Sequence, residues 1–153
     1  NEFSALLKYG LVDNKLSLPM SNKAAFNQGL DALLKKISIL NKQIIILGPI
    51  PEIGINVLKQ FERKANMLPT RYQDVSPSIQ EFLKRQKTVL DTFSQLDNNQ
   101  NIHVIYPHKY LCGEIKCLTK SDNKPLYFDD NHLSKYGAQM LSGLFTHAFK
   151  NLN

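Results

Sequence analysis

The run Gln43-Ile44-Ile45-Ile46-Leu47-Gly48, closed by Pro49-Ile50-Pro51, constrains the fold of this chain more than any other stretch. It is short, continuously apolar and rich in β-branched residues, so it reads as a strand buried on both faces, the habit of strands in parallel sheets. The prolines end it, because a proline carries no N–H for the next rung of a ladder. Ile102-His103-Val104-Ile105-Tyr106-Pro107 repeats the pattern downstream. Each run follows a helical segment. Residues 22–40 place Phe26, Leu30, Leu33, Leu34 and Ile37 on one face behind Ser21 or Asn22 as N-cap. Ser76-Pro77 opens a second helix with Ile79, Phe82, Leu83, Val89, Leu90, Phe93 and Leu96 on its apolar face, broken at Asp97-Asn98-Asn99-Gln100-Asn101. Helix, strand, helix, strand is the rhythm of an α/β fold with right-handed crossovers. Ligands bind such folds beyond the carboxyl ends of the strands, here the loop after Gly48.

The remaining segments are less regular. Residues 53–67 are weakly helical and 68–75 read as loop. Lys120-Ser121-Asp122-Asn123-Lys124 is a turn inside a small hairpin that leads through Pro125-Leu126-Tyr127-Phe128. A last helix from about Ser134 aligns Ala138, Leu141, Leu144, Phe145, Ala148 and Phe149. Residues 1–20 are an unassigned lead-in. At 153 residues the chain has the length of one domain with one core, so a single domain over 1–153 is expected.

Composition excludes several classes. With 42% apolar and 21% charged residues the chain is globular and not disordered. No apolar run approaches the ~18 residues of a spanning helix, and no basic-then-apolar signal segment opens the chain. The net charge of +6 invites a nucleic-acid partner, but the lysines are scattered: Lys35-Lys36, Arg63-Lys64 and Lys84-Arg85-Lys87 all fall on polar helix faces. No nucleic acid is therefore expected. Cys112 and Cys117 flank Gly113 at a spacing that lacks the further ligands of a structural zinc site. A local disulfide in an oxidising, extracytoplasmic compartment is the favoured reading, and free buried thiols the alternative.

The chemistry concentrates in Leu126-Tyr127-Phe128-Asp129-Asp130-Asn131-His132-Leu133-Ser134. An imidazole can take a proton from a hydroxyl nucleophile near neutral pH and return it to a leaving group. A carboxylate three residues earlier can fix its tautomer. The plain alternative is a polar helix start, with Asp129 or Asp130 favouring the helix dipole and Ser134 capping. Asp129, Asp130 and His132 as zinc ligands would crowd three donors into four residues, so no metal is expected. His103 reads as a core or edge residue of its strand, His108 as a strand-end residue that could face the site, and His147 as solvent-facing. Ser4, Ser17 and Ser21 lack the strand-to-helix turn of an exposed nucleophile and read as surface or cap residues.

Three stretches together resemble a known family: Ile46-Leu47-Gly48-Pro49-Ile50-Pro51-Glu52, Leu111-Cys112 with Cys117, and Pro125 to Ser134 followed by Gly137-Ala138. From Phe26 to the end the chain resembles the SGNH hydrolases, and more closely the SGNH domains fused to membrane-embedded acyltransferases that modify envelope polysaccharides. The resemblance implies a flavodoxin-like three-layer α/β/α fold with a parallel sheet. It implies His132 as general base, Asp129 as the carboxylate that orients it, and Asp130 turned elsewhere, toward the helix cap. It also calls for a Gly-Asp-Ser block bearing the nucleophile and for a glycine and an asparagine that complete an oxyanion hole. No Gly-Asp-Ser occurs here, and no Gly-x-Asn follows a strand ahead of residue 43.

The chain therefore reads as an apparently N-terminally truncated SGNH domain, its C-terminal part, with the first strands expected upstream. The implied activity is O-acyl transfer or ester hydrolysis on envelope carbohydrates, acetyl being the implied group, through a Ser-His-Asp mechanism without cofactor. This chain would supply the base and its carboxylate and be inactive alone. The implied partners are a carbohydrate or other acyl acceptor and an N-terminal membrane acyltransferase domain, at the periplasm or cell surface. The rival reading is a non-catalytic SGNH-like module that binds glycan or protein.

Overall fold

The computed structural model describes residues 9–12, 15–19, 21–59 and 75–150. Their contacts divide the chain into two units, Asn1–Gln43 and Ile44–Asn153. In the first, β1 (Tyr9–Val12) and β2 (Lys15–Pro19) form an antiparallel hairpin with rungs Leu11↔Leu16 and Val12↔Lys15 and a register shift between Tyr9 and Leu11. At four and five residues these strands are too short for their pattern, the Lys-Leu-Ser-Leu alternation of β2 included, to stand out in the sequence. Helix α1 (Asn22–Ser38) follows, its N-cap Ser21 accepting a hydrogen bond from the Ala24 N–H at 3.2 Å. Lys35 and Lys36 in its last turn favour the negative end of the helix dipole.

In the second unit β3 (Ile44–Leu47) pairs in parallel with β4 (Ile102–Ile105), from Ile44↔Ile102 to Leu47↔Ile105. Both runs expected to form strands do so, in the parallel sense. Their burial differs. Ile102 and Ile105 are buried, whereas β3 is half-buried and Leu47 is 45% exposed, because β3 has β4 as its one strand neighbour among the described residues.

Helix α2 (Ile79–Leu96) lies between the two strands in sequence and contacts β4. It starts two residues later than Ser76-Pro77 suggests. Ser78 forms a capping box with Glu81, and the chain before it is occupied otherwise: the Pro77 carbonyl accepts from Cys117 N–H at 2.9 Å. Helix α2 buries Phe82 and Phe93 but leaves Leu83 exposed. Residues 57–59 begin a helix, and the rest of the segment expected to be helix and loop, 60–74, lies outside the described residues.

After β4 the chain makes the short helix α3 (His108–Leu111), the Cys112–Cys117 loop, and the hairpin of β5 (Lys120–Ser121) with β6 (Lys124–Pro125). Asp122 and Asn123 turn that hairpin with φ of 48° and 57°, the left-handed pair that a two-residue connection requires. Helix α4 (Lys135–Lys150) closes the described chain and also contacts β4. The architecture is mixed α/β, a small parallel sheet with helices against it. Val57, Leu111, Leu126, Tyr127 and Leu141 form the core cluster of this unit.

Candidate active site

Leu126 and Tyr127 are fully buried and anchor the strand that enters the Asp-His turn. Short rungs then fold residues 126–134 back on themselves. Phe128 N–H donates to the His132 carbonyl at 2.8 Å, Ser134 N–H donates to the Leu126 carbonyl at 2.9 Å, and Tyr127 bridges Leu133. Ser134 fixes the exit: its hydroxyl donates to the Pro125 carbonyl at 2.7 Å and accepts from Gly137 N–H at 3.0 Å, so it caps α4 and ties it to β6 at once. Gly137 must be glycine, since a Cβ there would be driven into the Leu126 carbonyl.

At the tip of this turn Asp129 Oδ2 lies 2.8 Å from His132 Nδ1. Asp129 Oδ1 accepts the N–H groups of Asn131 at 3.0 Å and His132 at 2.7 Å. These bonds to the ionised form, the Asn131 N–H first and then His132, hold the Asp129 carboxyl down at about 2. It is a carboxylate throughout the neutral range. An ionised acceptor makes Nδ1 the donor, which leaves the Nε2 lone pair of a neutral His132 free. The His132 side chain is 76% exposed and Asp129 28%, so the outer nitrogen is open to a reactant while the inner one is held.

Helix capping does not explain the pair. Ser134 caps α4 and Asp129 is satisfied within its own turn, while the backbone carbonyl of Asp130 accepts Ile53 N–H at 2.7 Å and Gly54 N–H at 3.4 Å. Val57 N–H donates to the Asp129 carbonyl at 3.1 Å. The loop after β3 is thus bonded to the backbone of the Asp-His turn. Gly48 permits the start of that loop, because a Cβ there would meet the Ile105 carbonyl at 3.0 Å, and the fully buried Pro51 fixes its course.

The family model described as "SGNH domain (fused to AT3 domains)" matches residues 4–147. The chain belongs to this family. Comparison with curated proteins and with solved structures yields no match. The SGNH domains of this kind are associated with acyltransferase-3 domains, and no helix among the described residues is long and apolar enough to cross a membrane.

Cys112 and Cys117 are bonded, S–S 2.09 Å, across a loop also closed by Gly113 N–H to the Lys116 carbonyl at 2.9 Å. Among the described residues no three His, Cys, Asp or Glu side chains gather as metal ligands. His108 does not join the turn: it is 9% exposed, stacks against Phe82 with centroids 5.0 Å apart, and its Nδ1 has no hydrogen-bond partner among the described residues. His103 lines a 270 Å³ pocket with Tyr106 and Tyr110. Ser21 is a helix cap, while Ser4 and the side chains of Ser17 and His147 lie outside the described residues.

One triplet was passed over in the sequence. Gly54-Ile55-Asn56 follows β3 with Gly54 at φ 78°, and Asn56 Oδ1 accepts Lys59 N–H at 2.8 Å, which caps the next turn and leaves the NH2 donors of the Asn56 amide outside that bond.

Proposed function

We propose that this SGNH domain serves acyl transfer or ester hydrolysis on carbohydrate hydroxyls, acetyl being the group moved, with His132 as general base and Asp129 as the carboxylate that orients it. The observation that carries this reading is the Asp129–His132 contact of 2.8 Å with the far side of the imidazole open. The nucleophile would be a serine outside these 153 residues, since no Gly-Asp-Ser block occurs within them.

In the first half-reaction the serine Oγ attacks the acyl carbonyl while His132 Nε2 takes the hydroxyl proton. The imidazolium, steadied by Asp129, then returns that proton to the departing oxygen, leaving an acyl-serine. In the second, Nε2 takes the proton of a sugar hydroxyl, or of water, as its oxygen attacks the acyl-serine, and gives it back to the serine Oγ as the bond breaks. A membrane acyltransferase-3 domain would present the acyl donor, and the Cys112–Cys117 bond fits an oxidising compartment outside the cytoplasm.

The test is acetylation of the envelope polysaccharide by the full-length protein, followed by the acetyl signals of the isolated polymer. His132→Ala and Asp129→Asn should abolish them with the protein still folded and present. Wild-type acetylation in His132→Ala overturns the proposal and leaves the domain a binding module.

A further inference from the structure

The Gly-Pro-x-Pro-Glu loop ends on Glu52, a residue that the proton chemistry at His132 leaves unused. Pro51 is fully buried and sets the loop in place, and Glu52 follows it at the rim of a 290 Å³ cleft between this loop and α2. Ile53 and Gly54 form one wall, and Phe82, Arg85 and Gln86 the other. The same Ile53 and Gly54 donate their N–H groups to the Asp130 carbonyl, so the wall of the cleft and the turn that carries Asp129 and His132 are one hydrogen-bonded piece.

We infer that this cleft is a subsite for a neutral pyranose ring of the acyl acceptor. The inference rests on the acyl-transfer reading above and adds the acceptor's chemistry to it. The volume sits near the lower bound of about 300 Å³ for small-molecule sites, room for one ring and not for a chain buried end to end. Across its mouth Glu52 Oε2 meets the Arg85 guanidinium at 2.6 Å. That contact engages one carboxylate oxygen and one of the guanidinium nitrogens, and neither side chain has a further partner among the described residues. A free carboxylate oxygen, spare guanidinium N–H groups and the Gln86 amide therefore stand together at one rim. Vicinal hydroxyls, each a donor and an acceptor, match such a set. The Glu52 and Arg85 charges neutralise one another and Glu81 also lines the cleft, so its net charge is negative and disfavours an anionic sugar. Ile53 and Pro77, both half-buried and lining the cleft, supply apolar surface for the C–H face of a ring.

The experiment follows the backbone amides of the 15N-labelled chain while methyl α-glucopyranoside, methyl β-N-acetylglucosaminide and glucuronate are titrated in turn. Saturable shifts at Ile53, Gly54 and the Gln86 side-chain amide are expected with at least one neutral glycoside and not with glucuronate. Arg85→Ala and Glu52→Gln should each weaken that binding about tenfold, the loss of a charge-assisted hydrogen bond. Gln86→Ala, a change at a half-buried position of the helix surface, gives a milder loss and guards against a misfolded Arg85 variant. No shifts at the cleft with any of the three sugars, shifts centred elsewhere, or stronger binding of glucuronate would each overturn the inference.

His132→Ala should leave these shifts intact. If the full-length protein still acetylates after His132→Ala, the catalytic reading falls and the sugar cleft stands. If acetylation depends on His132 and the cleft stays silent, only the cleft falls.

Discussion

His132 sits on an exposed turn with its Nδ1 2.8 Å from an ionised carboxylate, whereas His108, at the start of α3, is 9% exposed and its Nδ1 meets no polar atom among the described residues. Water is lost by His108 without replacement, a penalty of about 1–3 kcal/mol for an unpaired buried group. Burial first, and then the nearby Lys109, lowers its pKa and keeps the ring neutral. His132 keeps its outer nitrogen in water while the inner one is ordered. A buried ring in an α/β core is thus a packing element, whereas an exposed ring with one held nitrogen keeps its other nitrogen open to solvent.

The comparison breaks most visibly in activity. In the full-length protein Asp129→Asn should cut acyl transfer by about 10³–10⁴, since an amide can no longer hold the Nδ1–H tautomer, while His108→Phe should leave the rate unchanged. Equal losses in both variants, measured as acetyl transferred per unit of protein, would erase the distinction. Next comes the support of the reactive turn. Gly137→Ala should destabilise by about 1–3 kcal/mol or more, read as a fall of several degrees in thermal unfolding, because α4 must back away from the Leu126 carbonyl.

The other region has its own support. Cys112 N–H donates to the His108 carbonyl at 2.8 Å, and the disulfide closes a loop with sequence separation 5. Replacing both cysteines by serine should cost about 2 kcal/mol by loop-closure entropy. NMR shifts of the ring protons should then move for His108 and stay put for His132. The smallest effect is in pH. Neutral His108 contributes stability that is complete above its ordinary 6.5 and is lost as pH falls from there toward its lowered folded value, because the unfolded chain takes the proton first. Asp129 contributes in a separate window, present above its ordinary 3.8 and lost as pH falls toward about 2. His108→Phe should therefore flatten the decline just below pH 6.5 and leave the acid limb unchanged. Unfolding midpoints in denaturant from about pH 2 to pH 8 check both.

Much of this was legible in the residues. The two β-branched runs became a parallel pair, and the apolar stripes of 22–40 and 79–96 became helices, because period and β-branching act over a few residues. The start of α2 was misplaced by two residues since Ser76-Pro77 is itself a good helix signal; Ser78 prevailed through its capping box and through Cys117, a residue far along the chain. The burial of β3 was overestimated, as apolar content does not reveal how many neighbours a strand acquires.

The Asp129–His132 contact belongs to the local kind. The side-chain hydrogen bonds of the pair run between residues at most three apart, so spacing put the two groups within reach, while the turn's backbone is also held by Ile53 and Val57 N–H groups from the loop after β3. The Asp122-Asn123 turn is local in the same way, whereas the Cys112–Cys117 spacing left a disulfide and free thiols both open until the structure showed the bond. Tertiary structure alone decided that the loop after β3 grips the Asp130 carbonyl, that Glu52 meets Arg85 over a cleft, that Gly137 lies against Leu126, and that His108 is entombed beside Phe82. Those contacts join distant segments, whose meeting depends on how the whole core closes and not on any spacing along the chain.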